Sequence, residues 1–239
     1  MATVKKSRKQ ITKENAKLAM ITDGCNPELV AGASFDGIFE IPVIKAPDVL
    51  RIPKGIVPFS KMDSINSSHF AVCEYENDRN FADLLKSPES YVNELKKYQA
   101  FITPDASLYW DMPLSAQIIN LYRNHAIGYY MQSKGVYTIP NVRWGDERTY
   151  TTDFLPEKIA FLGVEKHSIV SIGSYGVVKS KVEKQHFKSG LQAMLETLEP
   201  EVVLVYGAMP EEIFNEYRHL TTFIQYPDWT SYVRNEEAM

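Results

Sequence analysis

"EVVLVYGAMPEEIFNEYRHLTTFIQY", residues 201–226, is the stretch on which the fold turns. "EVVLVYG" (201–207) is almost wholly apolar and β-branched, as a strand covered on both faces requires. "PEEIFNEYR" (210–218) reads as helix and "TTFIQY" (221–226) as a further strand. A strand, a helix and a strand in succession pair in parallel through a right-handed crossover.

The same alternation runs back through the chain. "HSIVSIGSYG" (167–176) reads as a strand entering a turn, and "QHFKSGLQAMLETL" (185–198) as the helix that follows it. Earlier, "IPVIK" (41–45), "GIVPFS" (55–60), "FAVCEY" (70–75), "AFITP" (100–104) and "VYTIPNV" (136–142) are strand candidates. Residues 81–98 read as a helix interrupted at Pro88, which lacks a donor and clashes with the preceding turn. The segment 113–134 is the longest predicted helix, with Pro113 in its first turn, Asp111 or Met112 at the cap and Gly135 as the stop. A polar loop (143–154) and a short helix from Pro156 come next.

About eight strand candidates alternating with helices suit an irregular, barrel-like (β/α) single domain, with an open doubly wound parallel sheet as the alternative. Residues 37–239 are read as that one α/β domain and 1–36 as a basic N-terminal extension. A chain of 239 residues, 44% hydrophobic and 23% charged, can bury a substantial core unaided.

A net charge of −4 argues against whole-surface attraction to nucleic acid or anionic membrane. The opening is locally basic, however: Lys5, Lys6, Arg8, Lys9, Lys13 and Lys17 face only Glu14. It reads either as a solvated tail or as a nucleic-acid- or partner-binding arm. That opening lacks the apolar centre of a secretory signal, and no apolar run reaches the roughly 20 residues of a membrane span. A cytoplasmic protein with no membrane partner is therefore expected. Cys25 and Cys73 form no CxxC pair and are expected to be reduced.

In a barrel the C-terminal strand ends meet on one face, where sites collect. Those ends carry Glu74 and Glu76, Asp105 with Ser107, Arg143 with Trp144, Ser171 to Ser174, Tyr206 and Asp228. Glu74 and Asp105 are the candidate acid–base pair, since burial or a neighbouring charge can tune carboxylates, with solvated loop acids as the alternative. Asp105 also reads as a turn former, and Asp111 as the helix cap. Gly173 and Ser174, within "IGSYG" (172–176), can bring backbone N–H groups close to an oxyanion or phosphate, although a plain turn explains them as well. Arg143 and Arg123 suit bidentate binding of a phosphate or carboxylate, with Arg123 alternatively tying its helix to an acid. Tyr109, Trp110 and Trp144 can stack on a ring or serve as packing.

The five histidines match no zinc pattern, no GxSxG elbow is present, and neither a Walker nor a GxGxxG motif occurs. No metal site is assigned and the cofactor stays unknown, as does the oligomeric state.

The run 103–144, with Asp105, Ser107, Tyr109, Pro113, Gln117, Asn120, Tyr122, Arg123, Pro140 and Trp144, resembles the DUF4417 family of phage, plasmid and bacterial proteins. "GSYG", "FKSGLQAMLETLEP" and "VYG" extend the resemblance over roughly residues 37–217. Asn124 and His125 stand where a further basic residue is expected, which weakens an argument from paired cations. The resemblance implies a mobile-element origin, hence a host-cytoplasmic location if phage-encoded, and supplies no activity. The reading is a protein that recognises, and turns over if catalytic, a small polar or phosphorylated ligand at the C-terminal strand face. Its alternatives are a nucleic-acid accessory protein using the basic head and a host-protein-binding module.

Overall fold

The computed structural model describes residues 26–65, 68–174 and 180–237. Most of the basic extension, Cys25, and Tyr175 and Gly176 of the glycine-containing turn lie outside them. Among the described residues no helix is long and apolar enough to cross a membrane.

The chain is α/β with parallel sheets. β1 (Phe35–Asp36) and β2 (Ile41–Pro42) form a small antiparallel pair. β3 (Gly55–Pro58), β4 (Phe70–Cys73), β5 (Ala100–Ile102) and β6 (Thr138–Ile139) form one parallel sheet in chain order. β7 (Ile169–Gly173), β8 (Val202–Tyr206) and β9 (Thr222–Tyr226) form a second. Among the described residues an isolated parallel bridge, Asn141 to Ser171, links the two. No ladder among the described residues pairs β9 with β3. Instead the Tyr226 hydroxyl donates to the Pro53 carbonyl at 2.7 Å. Hydrogen bonding thus defines two sheets rather than one ring.

Residues 41–45 depart from the expectation of a parallel strand. Gly37 and Glu40 adopt left-handed φ values of 66° and 50°, turning the chain back so that β2 pairs antiparallel with β1. Only Ile44 makes a parallel contact, a lone bridge to Val164.

The helices are α1 (Ala82–Lys86), α2 (Val92–Leu95), α3 (Leu114–Ser133), α4 (Glu147–Tyr150), α5 (Lys181–Leu198), α6 (Glu211–Phe214) and α7 (Trp229–Glu237). The break between α1 and α2 holds a 3-10 turn that starts at Pro88, where the ring forbids a continuous helix. α3 begins without a side-chain cap, which corrects the role expected of Asp111. Pro113 itself supplies the first accepting carbonyl, to Ala116 and Gln117 N–H, and Asp111 stays exposed. The helix ends where Gly135 takes φ 80°. α5 starts four residues before the expected 185 because Ser180 and Glu183 form a reciprocal capping box. α7 was not anticipated; the Asp228 carboxylate accepts from Ser231 N and Oγ at 3.2 and 2.7 Å at its start.

Strand alternation divides the core into layers. Ile56, Cys73, Ile102, Ile139, Ile169, Leu204 and Tyr226, from both sheets, share one inner cluster. On the outer faces, Val57, Val72 and Phe101 meet Ile127 and Met131 of α3, and Val170, Ile172 and Val203 meet Phe187, Leu191 and Met194 of α5. Each such fully buried side chain contributes about 1.5–3 kcal/mol. All seven parallel strands therefore direct their C-terminal ends to one side.

Candidate functional site

At that side a buried hydrogen-bonded chain crosses the strand ends. The Tyr75 hydroxyl, beyond β4, donates to Asn141 Oδ1 at 3.0 Å and lies 2.8 Å from Ser171 Oγ. Asn141 Nδ2 donates to Asp105 Oδ1 at 2.8 Å, and the second Asp105 oxygen is paired with the Arg143 guanidinium. Burial pushes the Asp105 carboxyl up, while Arg143 and Asn141 pull it down; the net displacement is upward. Burial likewise raises the Tyr75 phenol, with Asp105 adding to it. Asp105 therefore spends both oxygens holding its neighbours. Gly173 abuts the Tyr75 ring so closely that an added Cβ would lie 2.7 Å from it, which explains glycine there.

Glu74 is 1% exposed, and neither carboxylate oxygen has a hydrogen-bond partner among the described residues. Burial drives its carboxyl well above the usual range, with Glu76 and Asp105 adding repulsion. Burial without a partner makes charge costly there and favours the protonated form.

Two clefts flank the Tyr75–Gly173 contact. The first, open to solvent, is floored by Val142, Ile172 and Gly173 and walled by Tyr109, Trp110, Arg143 and His186. Tyr109 and Trp110 are 51% and 44% exposed. The Arg143 guanidinium carbon lies 5.7 Å from the centre of the Tyr109 ring, and the Trp110 and His186 rings stack at 6.1 Å. The segment bearing both aromatics is tied down on several sides. Asn120 and Asn124 of α3 bond its backbone at Ser107 and Ala106, and Arg148 reaches the carbonyls of Trp110 and Met112. Arg148 is itself oriented by Asp146, which its Nε contacts at 2.9 Å. The His186 ring is placed by α5, with Nδ1 3.2 Å from the Tyr150 hydroxyl.

The second cleft opens at the ends of β3, β4, β8 and β9 and is lined by Lys61, Tyr75, Glu76, Asn80, Tyr206 and Asp228 among others. Tyr206 stacks on Tyr75 at 5.1 Å and accepts from Trp229 N–H at 2.9 Å. Burial raises its phenol strongly.

The expected site residues are thus spread over the face rather than gathered round one cavity. Tyr109, Arg143, Trp144 and Gly173 line the first cleft and Tyr206 the second, with Asp105 behind Arg143. Ser107 lies 3.1 Å from both Asp78 Oδ1 and the Tyr109 hydroxyl. Ser174 is buried and donates to the Ala208 carbonyl, so it ties the end of β7 to that of β8. Trp144 is mostly core: it packs on Phe187 at 5.3 Å and donates to the His186 carbonyl. Arg123 sits half-buried on α3 and lines neither cleft, and no ion pair to it is seen among the described residues. Sequence reading passed over Tyr75, Asn141 and His186. The first two follow strands directly, a signal that was available; His186 carried none.

The family model DUF4417, a domain of unknown function, matches residues 33–227, and the chain belongs to that family. The Gene 1 protein of Mycobacterium phage L5 is 35% identical over 141 residues, covering 59% of this chain and 57% of the relative. The Gene 1 protein of Mycobacterium phage D29 is 35% identical over 141 residues, covering 59% of this chain and 48% of the relative. The chain spans about half the length of these curated relatives. The expected association with phage proteins is met by both. No solved structure matches the chain.

Proposed function

We propose that this DUF4417 member binds a small ligand carrying a flat ring and a polar or phosphorylated group, seated in the first cleft. The reading takes residues 37–239 as one α/β unit whose parallel strands surround a shared interior in barrel-like fashion. What supports that arrangement is the inner cluster drawn from both sheets in chain order.

One observation carries the functional reading. Tyr109 and Trp110 stand about half exposed on a backbone segment that the side chains of Asn120, Asn124 and Arg148 immobilise, beside a guanidinium and an imidazole. Rigid, solvent-facing aromatics lose little entropy when they stack on a ring, and each such contact is worth about 1–3 kcal/mol. Arg143 then meets the ligand's acceptor group. Because Asp105 already offsets its charge, the ring supplies more of the affinity than the anion does. Asp105 under this reading positions Arg143 rather than reacting.

The test is native mass spectrometry of the purified chain for a retained small molecule, followed by a titration with p-nitrophenyl phosphate monitored by tryptophan fluorescence. Saturable binding that Trp110→Ala weakens about tenfold, as loss of one stacking contact implies, is the expected result. Binding that survives both Trp110→Ala and Arg143→Ala unchanged would show that the first cleft is not the site.

A further inference from the structure

We infer that the second cleft is a separate binding site for a neutral polyhydroxylated ring, of the pentose or hexose class. Its walls combine hydrogen-bond acceptors and donors. Glu76 and Asp228 supply carboxylates, Asn77 and Asn80 amides, and Lys61 an ammonium. Vicinal hydroxyls both donate and accept, so adjacent carboxylates and amides match them better than they match a one-sided donor or acceptor.

The acceptors are pre-positioned. Glu76 takes bonds from Ser60 N–H at 2.9 Å, Ser60 Oγ at 2.6 Å and Asn80 Nδ2 at 2.8 Å, which fixes the carboxylate. A carboxylate has about four lone-pair sites, so capacity is left for a hydroxyl donor. Asp228 is held in the same way by Ser231 N and Oγ. Trp229, half-buried and backed by the buried Tyr75–Tyr206 stack, supplies the apolar contact that the C–H face of a sugar ring requires.

Charge narrows the ligand further. Two carboxylates against the Lys61 ammonium disfavour phosphates and carboxylates. The walls differ from those of the first cleft, where aromatic rings and Val142, Ile172 and Phe187 predominate. This site does not depend on the ligand proposed for the first.

The experiment is saturation-transfer NMR on the full chain with D-ribose and D-glucose, with inorganic phosphate and methylammonium as charged comparisons. Thr230→Trp fills the cleft from an exposed position at the start of α7, and Asn77→Ala removes an exposed amide. Circular dichroism melts establish that both variants are folded. Saturable sugar binding, abolished by Thr230→Trp and weakened about two- to tenfold by Asn77→Ala, is the expected outcome. Absence of saturable binding by either sugar overturns the inference, as does sugar binding undiminished in Thr230→Trp. A stronger response to phosphate or methylammonium overturns the ligand class. Loss of sugar binding in Trp110→Ala with retention in Thr230→Trp would move the sugar to the first cleft and equally overturn it.

Discussion

The sheet β7–β9 and the sheet β3–β6 pair in the same parallel sense but are built differently. In the former, five-residue strands meet in five-pair registers, and the intervening α5 is continuous and capped. In the latter, strands of two to four residues meet in as few as two pairs, and the helical segment between β4 and β5 is broken. Buried polar groups follow the same division. Glu74, Thr103, Asp105, Gln117, Asn124, His125, Thr138 and Asn141 belong to the first half and Asp146 and Thr149 to the connection between the sheets, whereas the second half buries the serines Ser168, Ser171 and Ser174. Short strands leave backbone groups beyond the ladders, and side chains take over. The Asn141 N–H bonds Thr103 Oγ1 at 2.8 Å and the Ala106 N–H bonds Asn124 Oδ1 at 3.0 Å. A polar network thus replaces ladder hydrogen bonds where the candidate site lies, and a regular sheet braces it from the other side.

The largest test of this contrast removes one member of the network. Asp105→Ala leaves Arg143 and Asn141 without their shared acceptor and is expected to cost about 3 kcal/mol by urea denaturation. Lys166→Ala, in the second half, breaks a pair with Glu199 whose side chains are both more than half exposed. Its cost should stay below about 0.5 kcal/mol. Equal costs for the two variants would mean that the first half does not rest on its polar network.

A second test uses pH, since the first half holds buried titratable groups of opposite sign. The folded-state pKa of Glu74 is raised, so the native state binds the proton more tightly than the unfolded chain does. Stability should fall as pH rises above the ordinary carboxylate value, and Glu74→Gln should remove that decline. His125, buried with Nδ1 3.1 Å from the Pro42 carbonyl, is pushed down to about 4 by desolvation. Its contribution is present above the ordinary histidine value of 6.5 and is lost as pH falls from there towards about 4. His125→Gln should flatten that acid limb. Denaturation midpoints for the three proteins across this range check both slopes; unchanged slopes in both variants would place the titration elsewhere.

The smallest expected effect compares the two long helices. Ser180→Ala breaks the capping box of α5 and should cost about 1 kcal/mol. Asp111→Ala, beside the uncapped start of α3, should change stability by less than about 0.5 kcal/mol. Thermal unfolding of the two variants separates them, and a larger loss for Asp111→Ala would restore the capping role that its position in the sequence suggested.

Much of the second half could be read directly from residues. "EVVLVYG" became β8 because a continuous apolar, β-branched run has few alternatives to a covered parallel strand, and "TTFIQY" became β9, a partly exposed strand at the end of its sheet. The Ser180–Glu183 pair was readable too, as a serine followed three residues later by glutamate. Helix α3 was placed within one residue at each end because Pro113 and Gly135 act locally.

By itself, then, the sequence determined the α/β class, the parallel pairing, the long helices and the candidate residues at the strand ends. All of these follow from periodicity and from local start and stop signals, which act over a few residues. Only the tertiary structure decided how those residues are shared out: that Asp105 spends its carboxylate on Asn141 and Arg143, that Glu74 is sealed away from both clefts, and that His186 reaches Trp110. The physical reason is separation along the chain. Asp105 meets partners 36 and 38 residues away, and whether a carboxylate is exposed, paired or buried alone depends on which distant strand end packs beside it. No local pattern encodes that neighbour, and its identity turns a row of polar strand ends into two clefts of different chemistry.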